Sequence, residues 1–576
     1  MISDAAAPFD GIGNFHRELL ERLAAPLVSG AGTAEAAQWF QRTIADIARD
    51  PGRWRSLHER HYGEQLALWQ RFTEGAHDGR LAPPDDSRFS APEWREPYFA
   101  YLAHSYLLAS NWLREAVDQS DLELHAKKKS AFLMQQFLDA MSPANFFWSN
   151  PAAVKQAMTT GGASLARGLQ NLAADARKGI VSTTDESAFE IGRDLAITPG
   201  AVVFENDFLQ LIQYEAATAK VFARPLLIVP PCINKYYILD LQPANSFVQH
   251  AIANGLTVFM VSWRNMPASM GRATWDDYLQ HGVMEAIRVV RELMECDQIN
   301  ALGFCVGGTL LASALAVLSA RDEHPVASLT LLATLLDYSD TGDLGVYIDE
   351  AYVAQREREL AGGGLLHGRD LALAFASLRP NDLIWRYVVN NYLLGSTPDA
   401  FDLLHWNADS TNLPGAMYVY YLRNMYLENN LQKPDRLTMC GTPVRLSRLA
   451  MPAYVLSTRG DHIVPWKTAY ASAGLLGGKI DFVLASSGHI AGVINPPAPA
   501  RRSFWDGDAP GPEPDEWLAR ATSHPGSWWP HWLRWLMPHA GASTSASAVG
   551  SPRYPVIEPA PGRYVREKAE EQFHRS

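Results

Sequence analysis

Apolar residues recur at three- and four-residue spacing through the first third of the chain. In "EPYFAYLAHSYLLASNWLREAV", Phe99, Leu102, Tyr106, Leu107 and Leu113 fall along one face of a helix. The same period runs from about residue 14 to residue 177, which predicts an all-α region whose aromatic stripe is packed core and not a cofactor site. After "KGIVSTTDES" the pattern changes to short β-branched runs separated by helix-length segments, so a second domain starts near Glu186. "AVVFENDFLQLIQY" predicts a hairpin that turns at Glu205-Asn206-Asp207. "PLLIVPP", "LTVFMVSW", "INALGFC", "SLTLLATLLD", "PAYVLSTRGD" and "IDFVLASSGH" predict buried strands. Strands alternating with helices specify a mostly parallel sheet covered on both faces.

The pattern divides the chain into a helical N-terminal domain, residues 1–185, and an α/β domain, residues 186–576. One connection in the second is far too long. Residues 338–450, between Asp337 and Met451, include the aromatic segments "LIWRYVVNNYLLG" and "MYVYYLRNMYLENN". An insertion of that size predicts a cap or lid over a site. From about residue 538 to 576, beginning "PHAGASTSASAVGSP", small polar residues predict a flexible tail. Trp528, Trp529, Trp532 and Trp535 predict a helix packed onto the α/β domain, with a surface that holds an insoluble partner as the alternative.

Length agrees with two domains, since 576 residues exceed what one hydrophobic core organises. With 50 Lys plus Arg against 62 Asp plus Glu, the formal charge of −12 argues against nucleic-acid binding by counterion release. Any anionic substrate must be met by local basic groups. The "HAKKKS" run at 125–130 reads as a solvated helix face, with contact to an anionic surface as the alternative. No apolar run reaches the roughly 18 residues of a membrane span, and "MISDAAAPFDGIGNFHRELL" lacks the basic and apolar regions of an export signal, so a cytoplasmic location is expected. Four cysteines, Cys232, Cys296, Cys305 and Cys440, are too few and scattered for a disulfide framework, and none forms a CxxC pair, so no metal site is expected. A free, reactive thiol remains.

Gly303-Phe304-Cys305-Val306-Gly307 has the spacing of a nucleophile elbow, in which small neighbours admit a sharp strand-to-helix turn. "INAL" before it supplies the strand and "TLLASALAVLSA" after it the helix; the competing reading is a buried structural cysteine. An elbow nucleophile needs an acid and then a histidine at the ends of later strands. Asp461 and His489 stand there. Taken singly, Asp461 reads as a helix N-cap and His489 as a satisfied loop histidine; the ordered triple favours catalysis. His462 competes for the base but is adjacent to Asp461, where neighbouring side chains diverge. Cys232 competes for the nucleophile, but "PPCIN" lacks flanking small residues; its neighbourhood reads as an oxyanion loop, with backbone N–H donors from Ile233 and from Val306.

"GFCVGGT", "PPCINKYYILDLQP", "TLLDYSDTGDLGVYIDE", "WNADSTNLPG", "DHIVPW", "GHIAGVINPP" and "GSWWPHW" together resemble the polyhydroxyalkanoate synthases, over a stretch running from "MSPANFFWSNP" to "IEPAPGRYV". The resemblance implies an α/β-hydrolase fold with a large mobile cap, preceded by a helical N-terminal domain. It implies polymerisation of (R)-3-hydroxyacyl-CoA into polyester with release of CoA, with Cys305, Asp461 and His489 as nucleophile, acid and base. "GFCVGG" in place of "GACSGG" resembles the short-chain, class I enzymes, which points to 3-hydroxybutyryl-CoA. The resemblance further implies channel positions at Arg379, Trp406, His462 and Ala491, a homodimer, granule-coating protein partners and a place on the surface of storage granules. It implies no cofactor, since CoA is part of the substrate and a product. A cysteine acyl-CoA thioesterase, or a polyester depolymerase on the same fold, is the alternative enzyme, and a non-catalytic granule coat a second.

A thiol suits such a polymerase. A CoA thioester passed to Cys305 remains a thioester, so loading is nearly level in energy and keeps the acyl group activated. Attack by a hydroxyl then yields an oxygen ester and expels a thiolate, a better leaving group than alkoxide.

Overall fold

The computed structural model describes residues 41, 45–46, 49–75 and 81–569; the expected helical pattern over 14–40 and the last residues of the expected tail, 570–576, lie outside them. The chain divides into two compact units. One is helical, extends to Glu186 and takes in Ala372–Phe401; the other comprises Ser187–Leu371 and the chain from Asp402 onward.

The helical unit contains α1 (Pro51–Gly75), α2 (Pro97–Asp118), α3 (Leu124–Ala140), α4 (Pro151–Thr159) and α5 (Ala163–Lys178). Proline opens α2 and α4, where its fixed φ suits the first turn and its missing N–H costs no bond. Asn150 caps α4 by accepting from the Ala153 N–H at 3.1 Å. The stripe on α2 packs Phe99, Tyr106 and Leu107 around buried Phe89 and Trp94, as its period predicts. The lysine run on α3 is not a uniformly solvated face: Lys129 is buried and the Lys127 ammonium donates to the Ser120 carbonyl at 2.9 Å.

The insertion expected as a cap over 338–450 is divided between the two units. Its middle, Ala372–Phe401, belongs to the helical unit. Ile384, Trp385, Val388 and Tyr392 share an apolar core with Ala140, the Tyr392 hydroxyl donates to Asp175 at 2.7 Å, and Asn171 donates to the Asn391 carbonyl at 3.0 Å. Gly168 leaves no room for a side chain against the Tyr392 carbonyl. Buried apolar area and satisfied polar groups draw the segment to those helices.

The larger unit is built on β1 (Gly200–Glu205), β2 (Leu209–Tyr214), β3 (Lys220–Phe222), β4 (Leu226–Val229), β5 (Val258–Trp263), β6 (Ile299–Phe304), β7 (Val326–Leu332), β8 (Ala453–Thr458), β9 (Ile480–Ala485), β10 (Ser503–Asp506), β11 (Thr522–Pro525), β12 (Ser543–Ser545) and β13 (Glu558–Pro559). Eleven of them form one sheet in the order β11-β10-β9-β8-β7-β6-β4-β5-β2-β1-β13. The run from β9 to β5 is parallel throughout, with antiparallel strands on both sides. All six runs read as buried strands are there, and β1 and β2 form the expected hairpin, whose turn Asn206 holds by accepting from the Phe208 and Leu209 N–H groups. The helices that matter for the site are α6 (Val306–Ala320), α7 (His489–Val493) and α8 (Trp529–Leu536).

Residues 538–569 are not the flexible tail their composition suggests. β12 pairs with β3, β13 pairs with β1, and Tyr564 and Val565 are buried. Sheet edges accept any backbone that can donate and accept, so small polar residues serve there without apolar alternation. The tryptophan segment packs as expected: the indoles of Trp528, Trp529 and Trp532 donate to the Gly492 carbonyl, the Val493 carbonyl and the Thr330 hydroxyl, each at 3.0 Å, and that of Trp535 to Asp481 at 2.8 Å. Among the described residues no helix is long and apolar enough to cross a membrane, and no group of side chains is arranged to hold a metal.

Asp240 is fully enclosed in this unit and accepts from the hydroxyls of Thr198 at 2.5 Å and Ser246 at 2.6 Å. Burial outweighs those bonds and pushes its carboxyl up to about 6. A carboxyl raised in the folded state adds stability that is complete below its unfolded value and is lost as pH rises through about 6. Asp240→Asn is therefore expected to raise Tm by several degrees at pH 8, with a gain that shrinks as pH falls toward 4. Scanning calorimetry at pH 8 and pH 5 checks it; an equal shift at both would contradict the assignment.

Candidate active site

Cys305 sits between β6 and α6 with φ 53° and ψ −130°, a backbone state that a side-chain-bearing residue rarely adopts. It persists because its surroundings fix it. The Cys305 N–H donates to the Leu332 carbonyl at 2.9 Å, and its own carbonyl accepts from the Thr334 hydroxyl at 3.2 Å. A methyl group on Gly303 would overlap Gly308, and one on Gly307 would overlap the carbonyls of Val229 and Pro230. The glycines are thus a packing requirement of the elbow: they let β6, α6 and the end of β4 close onto the thiol.

His489 opens α7, and Asp461 lies in the loop after β8. The two loops leave adjacent parallel strands and stay paired, Arg459 N–H to the Ala485 carbonyl and Gly460 N–H to the Ser487 carbonyl, each at 2.8 Å. His489 Nδ1 and Asp461 Oδ2 are 2.7 Å apart, with both side chains buried. Asp461 also accepts from the Thr458 hydroxyl at 3.0 Å and from the Ile463 and Val464 N–H groups at 3.0 and 2.9 Å. It is not a helix N-cap: its oxygens hold the loop and the histidine. The Phe304 ring stacks on the imidazole with centroids 5.5 Å apart. Gly492 packs against Thr458 where no side chain would fit, and the Trp528 and Trp529 indoles hold the carbonyl end of α7.

Burial disfavours the His489 imidazolium, but the Asp461 carboxylate and the Cys305 sulfur, each also hydrogen-bonded to the ring, outweigh it and push the group up to about 10. For Asp461 burial raises the carboxyl, and the imidazolium and backbone donors bring it below its ordinary value. The pair favours a proton on His489 and a negative charge on Asp461. The rival thiol, Cys232, is pushed up to about 12 by burial and stays neutral.

The remaining positions fall as follows. Val306 is buried at the N-terminus of α6, and Ile233 is half-buried in the loop after β4; among the described residues neither N–H has an acceptor in the protein. His462 is half-buried, with its carbonyl accepting from the Asp343 N–H at 2.8 Å, while the histidine paired with Asp461 is His489. Ala491 is half-buried on α7. Trp406 is buried core, its indole donating to the Lys235 carbonyl at 2.7 Å. Arg379 is exposed in the part of the insertion that belongs to the helical unit.

Periodicity gave no sign of a tyrosine group beside the thiol. The Tyr338 hydroxyl lies 3.1 Å from that of Thr309 and 3.2 Å from that of Tyr421, and the Tyr421 and Tyr426 rings meet edge-on at 5.2 Å. Burial first, and the charge of Cys305 among the smaller causes, raises all three phenols, so they are neutral donors next to the sulfur. Their segments, "TLLDYSD" and "MYVYYLRNMY", are 83 residues apart at the Tyr338–Tyr421 contact, and only the fold brings them together.

In protein with selectively ¹⁵N-labelled histidine, the His489 ring is expected to remain protonated at pH 8, and Asp461→Asn to make it neutral there, since the variant removes the larger of the two stabilising charges. Nuclear magnetic resonance titration checks this; an unchanged titration would contradict the electrostatic account.

A family model for the N-terminus of poly-beta-hydroxybutyrate polymerase (PhaC) matches residues 85–251, and one for the alpha/beta hydrolase fold matches residues 225–496. The poly(3-hydroxyalkanoate) polymerase subunit PhaC of Cupriavidus necator is 52% identical over 534 residues, covering 91% of this chain and 90% of that one. The poly(3-hydroxyalkanoate) polymerase of Methylorubrum extorquens is 43% identical over 84% of this chain and 82% of its own, and the PhaC subunit of Rhizobium meliloti 38% identical over 95% and 92%. With the sheet, the elbow and the paired histidine in place, these similarities establish that the chain belongs to the poly(3-hydroxyalkanoate) polymerases, acyltransferases on an α/β-hydrolase fold preceded by a helical region.

Proposed function

We propose that the chain polymerises (R)-3-hydroxybutyryl-CoA through an acyl thioester on Cys305. The observation that carries this is a cysteine at a sterically enforced elbow with the buried His489–Asp461 pair beside it, 2.7 Å between ring and carboxylate. The proton already rests on His489, and Cys305 attacks the thioester carbonyl of the substrate as the thiolate of that ion pair. The N–H groups of Ile233 and Val306 receive the oxyanion. CoA leaves as a thiolate and takes the proton that His489 holds.

In elongation the 3-hydroxyl of a second hydroxyacyl group replaces CoA as the partner of the site. His489, oriented by Asp461, accepts the hydroxyl proton as the oxygen attacks the Cys305 thioester. An oxygen ester forms and the thiolate departs. Water competes for the same thioester, so the tyrosine group of Tyr338, Tyr421 and Tyr426 matters: it places aromatic surface beside the sulfur and limits room for solvent. The polymer accumulates as granules, and the enzyme works at their surface as a homodimer.

Purified protein given (R)-3-hydroxybutyryl-CoA is expected to release CoA as the solution turns turbid, and Cys305→Ala to lose both signals by roughly 10⁴-fold or more. CoA release with soluble 3-hydroxybutyrate as the product would overturn the polymerase reading of this substrate in favour of a thioesterase.

A further inference from the structure

A peptide unit is planar, so whatever fixes the Cys232 carbonyl also aims the Ile233 N–H. Thr411 fixes it. Its hydroxyl donates to the Cys232 carbonyl at 2.7 Å, and its N–H donates to the next carbonyl along, that of Ile233, at 3.3 Å. Thr411 and Cys232 are each only 2% exposed, so solvent has little access to the bond. A hydroxyl there has no other role visible in the fold: an apolar side chain of the same shape would fill the space.

The segment that carries Thr411 is itself held. Asn234 and Ser410 form an antiparallel bridge, and the Trp406 indole donates to the Lys235 carbonyl. Asp409 lies 3.0 Å from the buried Lys235 ammonium and accepts from the Tyr237 hydroxyl at 3.0 Å. The same ammonium donates to the carbonyls of Val565 and Glu567, at 2.7 and 2.6 Å, and the Asn412 N–H donates to Asn265 at 2.9 Å. These contacts clamp residues 232–237 from two sides. On its other side the loop meets the elbow, where Gly307 touches the carbonyls of Val229 and Pro230.

We propose that Thr411 is a positioning residue for acyl transfer: its hydroxyl locks the Cys232–Ile233 peptide with the N–H directed at the oxyanion that forms over Cys305. The bond to the carbonyl also polarises the peptide and strengthens its N–H as a donor. This rests on the reading of Ile233 as an oxyanion donor. Thr411 touches neither substrate nor sulfur; it acts through the peptide.

The test uses the full chain and the single-turnover rate at which Cys305 is acylated by (R)-3-hydroxybutyryl-CoA. Replacing the Ile233 amide by an ester, through an α-hydroxy acid incorporated at that position, deletes the N–H and is expected to slow acylation about 100-fold. Thr411→Val is expected to slow it roughly tenfold with KM unchanged, Thr411→Ser to restore it to within about twofold, and Thr411→Val in the ester background to add no further loss. If Thr411→Val does not fold, Thr411→Cys, a weaker donor of similar shape, takes its place with a severalfold loss expected. Equal slowing by Thr411→Val with and without the Ile233 N–H, no slowing, or a loss expressed in KM and Tm alone overturns the positioning role while leaving the oxyanion reading intact. An ester at position 233 that acylates at the native rate overturns both.

Discussion

The site depends on one steric constraint, the left-handed backbone at Cys305. A residue with a side chain held at φ 53° stores strain of about 1–3 kcal/mol and needs neighbours that permit nothing else. Here the neighbours are strand β6, whose last residues are buried in the middle of the sheet, and helix α6, which is enclosed through nearly its whole length. The absence of side chains at Gly303 and Gly307 lets those elements and the end of β4 close to contact. The thiol is thereby presented at the carboxyl ends of the parallel strands, where loops from several of them converge.

The electrostatics follow from that position. β8 and β9 are neighbours in the sheet, so the loops that follow them deliver Asp461 and His489 side by side. Burying the carboxylate and the imidazole together would be costly for either alone; each offsets the other, and the Thr458 hydroxyl and two backbone donors complete the carboxylate's bonding. The result is a histidine that retains its proton beside a sulfur. That suits thioester exchange, in which a thiolate must be both a good nucleophile and a good leaving group. α8 contributes from behind, because its tryptophans bind the carbonyls of the short helix that begins with His489.

Most of this was legible in the sequence because the strands are continuous β-branched runs and the elbow is a local pattern. The order Cys305, Asp461, His489 could be read because each residue follows closely on a strand of one sheet. What was not legible involves contacts between distant segments. The split of the insertion turns on Tyr392 meeting Asp175 and Gly168, which no period encodes. Residues 538–569 read as a flexible tail because edge pairing and carbonyl acceptors for Lys235 require no apolar residues. Lys129 is buried within a run whose composition suggests solvent. Thr411 lay in a motif that was recognisable as a string, but its bond to Cys232 exists only once residues 179 apart are brought together.

In the proposed mechanism the elbow sulfur carries the acyl group between one CoA and the next hydroxyl. Rapid quenching of the enzyme during turnover of (R)-3-hydroxybutyryl-CoA, followed by peptide mass spectrometry at a pH that preserves thioesters, reads this directly. 3-Hydroxybutyryl or oligomeric mass is expected on the peptide containing Cys305 and on no other cysteine peptide. Steady release of CoA with that peptide unmodified at every quench time would contradict it.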